Sequence, residues 1–254
     1  MPDSTDQPRR QPPDPLPSIV ELVVGGPPAP WRELGFAVED QRMVVGGVTV
    51  RLDAAAGPGL VGWTVRGLGG APLDGLPASR DHAAAPPRPT DTGHPNRALA
   101  VDHVVVLTPD LERTAAALAG AGLEPRRRRR AGSPERPLVQ AFYRLGEVVI
   151  EVVGSPEAPP GPARFWGMVF TVADLDACAA DLGERLGPVR DAIQPGRRIA
   201  TVRPEAGLGL AVALMSPREP GASARRDRAR SGGRTSASGS GSGGRTPPGR
   251  RRAP

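Results

Sequence analysis

Two side chains that bind metal ions and transfer protons lie in apolar runs with the alternation of β-strands. His103 lies in the run VDHVVVL, and Glu151 lies in the run GEVVIEVV. A neutral imidazole and a carboxylate together suit Fe, Mn, Zn, Ni or Co, and either group also serves as a general acid or base. Because side chains alternate between the faces of a strand, Val105 and Leu107 share the face of His103. The pattern therefore predicts two polar groups in an apolar pocket.

The segment that carries both residues is repeated later in the chain. Ala98–Gly154 and Arg164–Met215 each open with an apolar strand and continue with an alanine-rich helix. In the first segment Thr108 is the predicted N-cap and Pro109 the first helical residue. Each segment closes with apolar runs typical of strands. A direct repeat of this length predicts two copies of one structural unit that pack against each other.

Tandem strand–helix–three-strand units resemble the βαβββ modules of the vicinal oxygen chelate superfamily, which includes glyoxalases, bleomycin-resistance proteins, methylmalonyl-CoA epimerases and extradiol dioxygenases. The matching residues are DHV at 102–104, TPDL at 108–111 and IEV at 150–152. The resemblance implies an α+β fold in which curved mixed sheets pair to form a cleft. It also implies a divalent metal on the floor of the cleft, with His103 and Glu151 as ligands.

The third module departs from this pattern. Gly167 stands in the place of His103, and the run LGLAVAL at 208–214 contains no carboxylate or imidazole. If the second and third modules pair, two protein ligands remain, whereas a catalytic metal site normally has three. A divalent metal and no cofactor at all are therefore both open alternatives.

A shorter, diverged module is predicted at Ser18–Leu68. Aligned on its strands, Glu21 falls where His103 does, and Arg51 falls where Glu151 does. If this module faced the second one, Glu21 would complete a metal triad with His103 and Glu151. Arg51 would instead pair with a carboxylate or hold a substrate anion.

Two functions follow from the resemblance, and they differ in their need for a metal. The first is a metal-dependent lyase, isomerase or dioxygenase for a small oxygenated metabolite, with Glu151 as ligand or general base. The second is a metal-free protein that sequesters a small molecule. The substrate-binding candidates are Arg51, Trp63, Gln140, Phe142 and Trp166. In a third reading His103 and Glu151 only hydrogen-bond each other and no ligand binds.

Arg126–Arg130 is a run of five arginines. Such a run is typical of a nucleic-acid-binding patch, but on a strand its side chains alternate between the two faces. A solvated edge strand and one side of a pocket for an anionic substrate are the two alternatives.

The remaining segments predict no folded domain. Residues 1–17 and the Arg/Gly/Ser tail 216–254 are predicted to be disordered, and 69–97 is predicted to be a linker in which His82 and His94 are solvated. The formal charge is +6, and it comes from the tail. The tail either has no dedicated partner or contacts RNA, DNA or acidic surfaces without sequence specificity. Cys178 is expected to be a buried thiol. No apolar run approaches the length of a membrane span, so a cytoplasmic protein is expected, and a homodimer is an open alternative.

Overall fold

The computed structural model describes residues 17–81, 93–155 and 157–218, which form two β-sheets and three short α-helices. The segments 1–16 and 219–254, predicted to be disordered, lie outside the described residues, as does His82. None of the described helices is long and apolar enough to cross a membrane.

The larger sheet has eight strands and is built by the two repeated modules. Its strands are β6 (Ala98–Thr108), β7 (Arg127–Gly132), β8 (Pro137–Leu145), β9 (Val148–Gly154), β10 (Arg164–Val172), β11 (Arg190–Asp191), β12 (Arg198–Thr201) and β13 (Ala211–Met215), in the order β11-β12-β13-β10-β6-β9-β8-β7. The first strands of the two modules, β6 and β10, pair antiparallel at its centre. The second and third modules therefore pair within one chain.

One helix follows the first strand of each module. Helix α2 (Leu111–Gly120) and helix α3 (Leu175–Leu182) begin in the same way, because the side chains of Asp110 and Asp174 accept a hydrogen bond from the backbone N–H three residues later. This N-cap satisfies a donor that has no partner inside the helix. The repeated aspartate thus starts the same element twice.

The smaller sheet has five strands and a related topology. Its strands are β1 (Ser18–Gly25), β2 (Arg42–Val45), β3 (Val48–Asp53), β4 (Gly59–Arg66) and β5 (Ala78–Asp81), in the order β2-β3-β1-β4-β5, with helix α1 (Ala29–Glu33) between β1 and β2. This order corresponds to β8-β9-β6-β10-β13 of the larger sheet. Val23 lies opposite Gly62 across β1 and β4, just as Val105 lies opposite Gly167 across β6 and β10. The five-stranded sheet is therefore a reduced version of the same paired arrangement.

The prediction of a structureless linker at 69–97 is wrong for its described residues. Strand β5 lies inside this segment and pairs with β4. His94 is buried: its Nδ1 accepts the N–H of Ala37 at 3.0 Å, and its Nε2 lies 2.9 Å from the carbonyl oxygen of Val44. Since Nδ1 accepts, Nε2 carries the proton and donates it to that carbonyl. His94 is a structural crosslink and not a solvated side chain.

A single apolar core joins the two sheets. Trp31 and Phe36 of the N-terminal part contact the Phe170 ring, with ring centroids 6.1 and 4.9 Å away. Trp63 packs against Phe165 at 5.3 Å. The five-stranded sheet thus covers one face of the eight-stranded sheet and leaves the other face available for a site. The Cys178 thiol is also buried and donates to the carbonyl oxygen of Asn96, which agrees with the expectation for this residue.

Candidate functional site

The face of the eight-stranded sheet opposite the shared core carries a cleft with two lobes. The first, the apolar lobe, has a volume of about 360 Å³, within the range of small-molecule sites. Its apolar lining includes Val105, Leu107, Leu138, Val153, Trp166 and Val169. Trp166 lies at the rim and is 52% exposed.

The second lobe, the arginine lobe, is polar and has a volume of about 500 Å³. Its lining includes Arg127, Arg129, Arg190, Arg218, Phe142 and Asp191. His103, Glu151, Arg190 and Ile199 line both lobes. The imidazole and the carboxylate therefore lie where the apolar and cationic surfaces meet.

His103 and Glu151 face each other across the floor of the cleft. His103 Nε2 lies 3.8 Å from Glu151 Oε2, and the two side chains are only 10% and 17% exposed. This distance is too long for a direct hydrogen bond. The two groups are therefore not bonded to each other, and an atom of a molecule in the cleft can contact both.

Asp102 fixes the orientation of the imidazole. Its Oδ2 lies 2.7 Å from His103 Nδ1, and because an ionised carboxylate only accepts, Nδ1 carries the proton. The lone pair of the neutral ring is then on Nε2, directed towards Glu151 and the cleft. A carboxylate that holds a histidine in this way fixes its tautomer and its ring orientation.

Arg197 holds Asp102 in turn. Its Nη1 lies 2.6 Å from Asp102 Oδ1, and the Arg197 side chain is 5% exposed. Thr171 also donates to Oδ1, at 3.1 Å. Burial alone would raise the pKa of Asp102, but the hydrogen bond from His103 and the charge of Arg197 outweigh burial and lower this pKa to about 2. Asp102 is therefore a carboxylate at any physiological pH.

A β-bulge brings Asp102 to this position. His103 is paired with Val169 across β6 and β10, and the next pair is Val101 with Phe170, so Asp102 is the extra residue of the bulge. A bulge changes the direction of a side chain without breaking the sheet. This is how two consecutive residues of one strand both contribute to one site.

Glu151 is held from the other side by Gln140. The Gln140 amide nitrogen donates to Glu151 Oε1, and its amide oxygen accepts from Arg129 Nε at 2.5 Å. Burial raises the pKa of Glu151, against the opposing charges of His103 and Arg129. A carboxyl with a raised pKa is a better general base or acid near neutral pH than an ordinary one.

The strand register shows which residues are equivalent in the three modules. In the second module, the register pairs His103 with Val149 and Val105 with Glu151. The corresponding pairs in the third module are Gly167–Ala211 and Val169–Ala213; in the first they are Glu21–Thr49 and Val23–Arg51. These two positions are thus occupied by His and Glu in the second module, by Gly and Ala in the third, and by Glu and Arg in the first.

The side chains at these positions determine whether the cleft fits a metal ion. In the third module the positions carry Gly167 and Ala213, which supply no ligand. A side chain at 167 would place its Cβ 2.3 Å from the Ala211 carbonyl oxygen, so the strand itself excludes a histidine there. No group of three His, Cys, Asp or Glu side chains suited to a metal occurs in the described residues, and Arg129 adds positive charge beside Glu151. The donors therefore do not fit a tightly held catalytic metal.

The structure brings only some of the predicted site residues together. Gln140 and Trp166 line the apolar lobe with His103 and Glu151, and Phe142 lines the arginine lobe. Glu21, Arg51 and Trp63 lie in the five-stranded sheet and do not line this cleft.

Glu21 is paired within its own sheet and is not a third ligand beside His103. Arg51 Nε lies 3.3 Å from Glu21 Oε1, and Arg51 Nη1 lies 3.2 Å from Asp53 Oδ2. This is the salt bridge that the sequence offered as an alternative to a metal. Trp63 is 1% exposed and belongs to the core, so it offers no stacking surface.

Sequence reasoning missed Asp102, Arg190 and Arg197 as parts of the site. Asp102 had a usable signal, because a carboxylate next to a candidate catalytic histidine can bind its second nitrogen. The two arginines lie in loops and short strands with no motif, and only the folded chain brings them to the cleft.

The fold is α+β: mixed sheets of paired βαβββ modules form a cleft. A variant of 4-hydroxymandelate synthase from Streptomyces coelicolor matches with a TM-score of 0.58 and 16% identity, over 80% of this chain and 93% of that one. Methylmalonyl-CoA epimerase from Mycobacterium tuberculosis matches over 50% of this chain and 93% of its own, with a TM-score of 0.40 and 19% identity. No family model matches the sequence, and no curated protein matches it either. At these identities the likeness shows the fold alone.

Proposed function

We propose that this chain is an enzyme that transfers a proton on a small oxygenated metabolite, with His103 and Glu151 as its acid–base pair. The observation that carries the proposal is the arrangement at the cleft floor. Asp102 binds His103 Nδ1 at 2.7 Å, and His103 Nε2 lies 3.8 Å from Glu151. An isomerase or a lyase needs such a pair, because one group removes a proton while the other donates one.

The surroundings of the two groups support opposite roles. His103 is oriented by an ionised Asp102, which stabilises the imidazolium that forms when His103 takes a proton. Glu151 lies in an apolar environment that favours its protonated form. In this arrangement His103 removes the proton and Glu151 donates one, or the roles reverse in the opposite direction of the reaction.

The experiment is proton exchange in D₂O followed by NMR. A 2-oxo acid and a 2-hydroxy ketone serve as probes, because each has an acidic hydrogen beside a carbonyl group. We expect the wild-type protein to accelerate exchange in at least one probe, and His103→Gln and Glu151→Gln each to slow it by about 100-fold or more. Arg128→Gln is the control, since Arg128 pairs with Glu112 away from the cleft. Background exchange with both probes would refute the proposal.

A metal-dependent enzyme is the first alternative, and the same samples distinguish it. Elemental analysis should find less than stoichiometric Fe, Mn, Zn, Ni and Co, and a chelator should leave the exchange rate unchanged. Stoichiometric metal that disappears in His103→Gln, together with chelator-sensitive exchange, would establish the metal-dependent reaction instead.

A small-molecule binding protein is the second alternative. It is favoured by the apolar lobe with Trp166 at its rim, which offers a ring for stacking without any catalytic group. Under this alternative a probe binds and changes the Trp fluorescence, but exchange stays at the background rate and does not respond to Glu151→Gln.

A further inference from the structure

We infer that the cleft selects an amphipathic organic anion, whose charged group lies in the arginine lobe and whose apolar body lies in the apolar lobe. This inference deepens the proposed function, because the two parts of the ligand would meet at His103 and Glu151. Its first support is the charge of the arginine lobe, where four arginines face two carboxylates, Glu151 and Asp191.

The arginines of this lobe form no direct ion pair with a carboxylate among the described residues. Arg127, Arg129 and Arg190 form no ion pair within the described part of the chain, whereas their neighbour Arg128 pairs with Glu112 at 2.7 Å on the other face of β7. Alternation along the strand thus divides the run 126–130 between an outer face, where Arg128 is paired, and an inner face, where Arg127 and Arg129 line the lobe. Guanidinium groups without a protein counter-ion are suited to a carboxylate or phosphate.

The guanidinium group of Arg129 is held in place before any anion binds. Its Nε donates to Gln140, and its guanidinium carbon lies 5.4 Å from the centroid of the Phe142 ring. One N–H and one face of the group are therefore engaged, and the terminal Nη1 and Nη2 have no hydrogen-bond partner among the described residues. An arginine held in this way loses little conformational freedom when it binds an anion.

The apolar lobe determines the chemical character of the part of the ligand beyond its anionic group. It adjoins the arginine lobe along His103, Glu151 and Arg190, and its strands present Val105, Val153 and Val169. A ring or a short hydrocarbon chain attached to the anionic group would bury this surface, at about 25 cal/mol per Å² of apolar area. The ligand class is therefore a small organic anion with an apolar body and not a free inorganic anion.

The test uses three probes in calorimetric titrations of the full chain: 3-phenylpropionate, the uncharged 3-phenylpropanol, and inorganic phosphate. We expect 3-phenylpropionate to bind at least about tenfold more tightly than either of the others, which corresponds to one charge-assisted hydrogen bond. In Arg127→Gln/Arg129→Gln this preference over the alcohol should be lost, while alcohol binding is unchanged. Unchanged alcohol binding also shows that the variant is folded.

Arg128→Gln is the control, because it removes an arginine from the same strand on the opposite face. It should retain the full preference for 3-phenylpropionate. Equal binding of acid and alcohol by the wild type, an equal loss in Arg128→Gln, phosphate binding as tight as that of the acid, or no binding of any probe would each overturn the inference. Glu151→Gln separates this result from the proposed function, since it should stop proton exchange and keep the preference for the anion.

Discussion

The two sheets use the same backbone positions for opposite purposes. In the five-stranded sheet these positions carry Glu21 and Arg51, which neutralise each other at 3.3 Å. In the eight-stranded sheet they carry His103 and Glu151, which lie 3.8 Å apart. The first pair is a salt bridge. The second pair lies at the floor of a cleft, and its two groups are too far apart for a hydrogen bond.

This difference separates a structural role from a chemical one. A partly exposed ion pair such as Glu21–Arg51 contributes about 1 kcal/mol or less to stability. The pair in the cleft is more deeply buried, and additional residues hold each member from behind: Asp102 and Arg197 for His103, Gln140 for Glu151. Polar groups that are buried and oriented but not paired with each other are characteristic of sites that act on a ligand.

The largest expected effect comes from the third module, at Gly167. Gly167→Ala should lower the free energy of unfolding by about 3 kcal/mol, because the new Cβ would meet the Ala211 carbonyl oxygen at 2.3 Å and overpacking of this kind distorts a strand. Gly70→Ala is the control, since nothing lies within 4 Å of its Cβ position. Denaturant unfolding of both variants is the measurement. Equal stability of the two would mean that residue 167 was free to become a ligand.

The next effect concerns Asp102 and its dependence on pH. The pKa of Asp102 is lowered from 3.8 to about 2 in the folded state, so its contribution is present above the unfolded value and is lost as the pH falls towards 2. Asp102→Asn should therefore cost about 2 kcal/mol at pH 7 and much less near pH 2. Thermal unfolding between pH 2 and 7 measures this. Asp176→Asn is the control: it breaks an exposed ion pair with Arg198 and should lower the free energy of unfolding far less. If Asp102→Asn lowered the stability equally at every pH, the lowered pKa of Asp102 would be contradicted.

The smallest effect compares Arg51 and Glu151, which share one register position. Arg51→Gln should lower stability by less than about 1 kcal/mol at both pH 4 and pH 8. Glu151→Gln should behave differently, because burial raises the pKa of this carboxyl above 4.5: ionisation of Glu151 costs stability as the pH rises through its folded pKa. We expect the variant to melt higher than the wild type at pH 8, by on the order of one or two degrees, with no difference at pH 4. A lower melting temperature at pH 8 would mean that the charged form is favoured in the cleft.

Much of the fold could be predicted because residue types and their spacing within single segments indicate the strands and helices. The alternation in β6 and β9 places His103 and Glu151 on defined faces. The start of α2 was predicted two residues too early, at Thr108, because the N-cap is Asp110, whose side chain accepts the Arg113 N–H. Strand β5 was missed because Ala-Ser-Arg-Asp has no apolar alternation and forms a strand only by pairing with β4. Trp63 was misjudged because an alternating pattern gives two faces without saying which one faces the core.

The sequence by itself determined the repeat, the residues at the equivalent strand positions of the three modules, and the absence of a carboxylate or imidazole at those positions in the third module. These follow from residue type and from the two-residue period of a strand, which are properties of the local chain. Only the tertiary structure decided that the second and third modules form the cleft, that Arg197 lies against Asp102, and that Arg127 and Arg129 face inward. Those contacts join residues far apart in sequence, and they depend on strand order and on a bulge that no local pattern specifies.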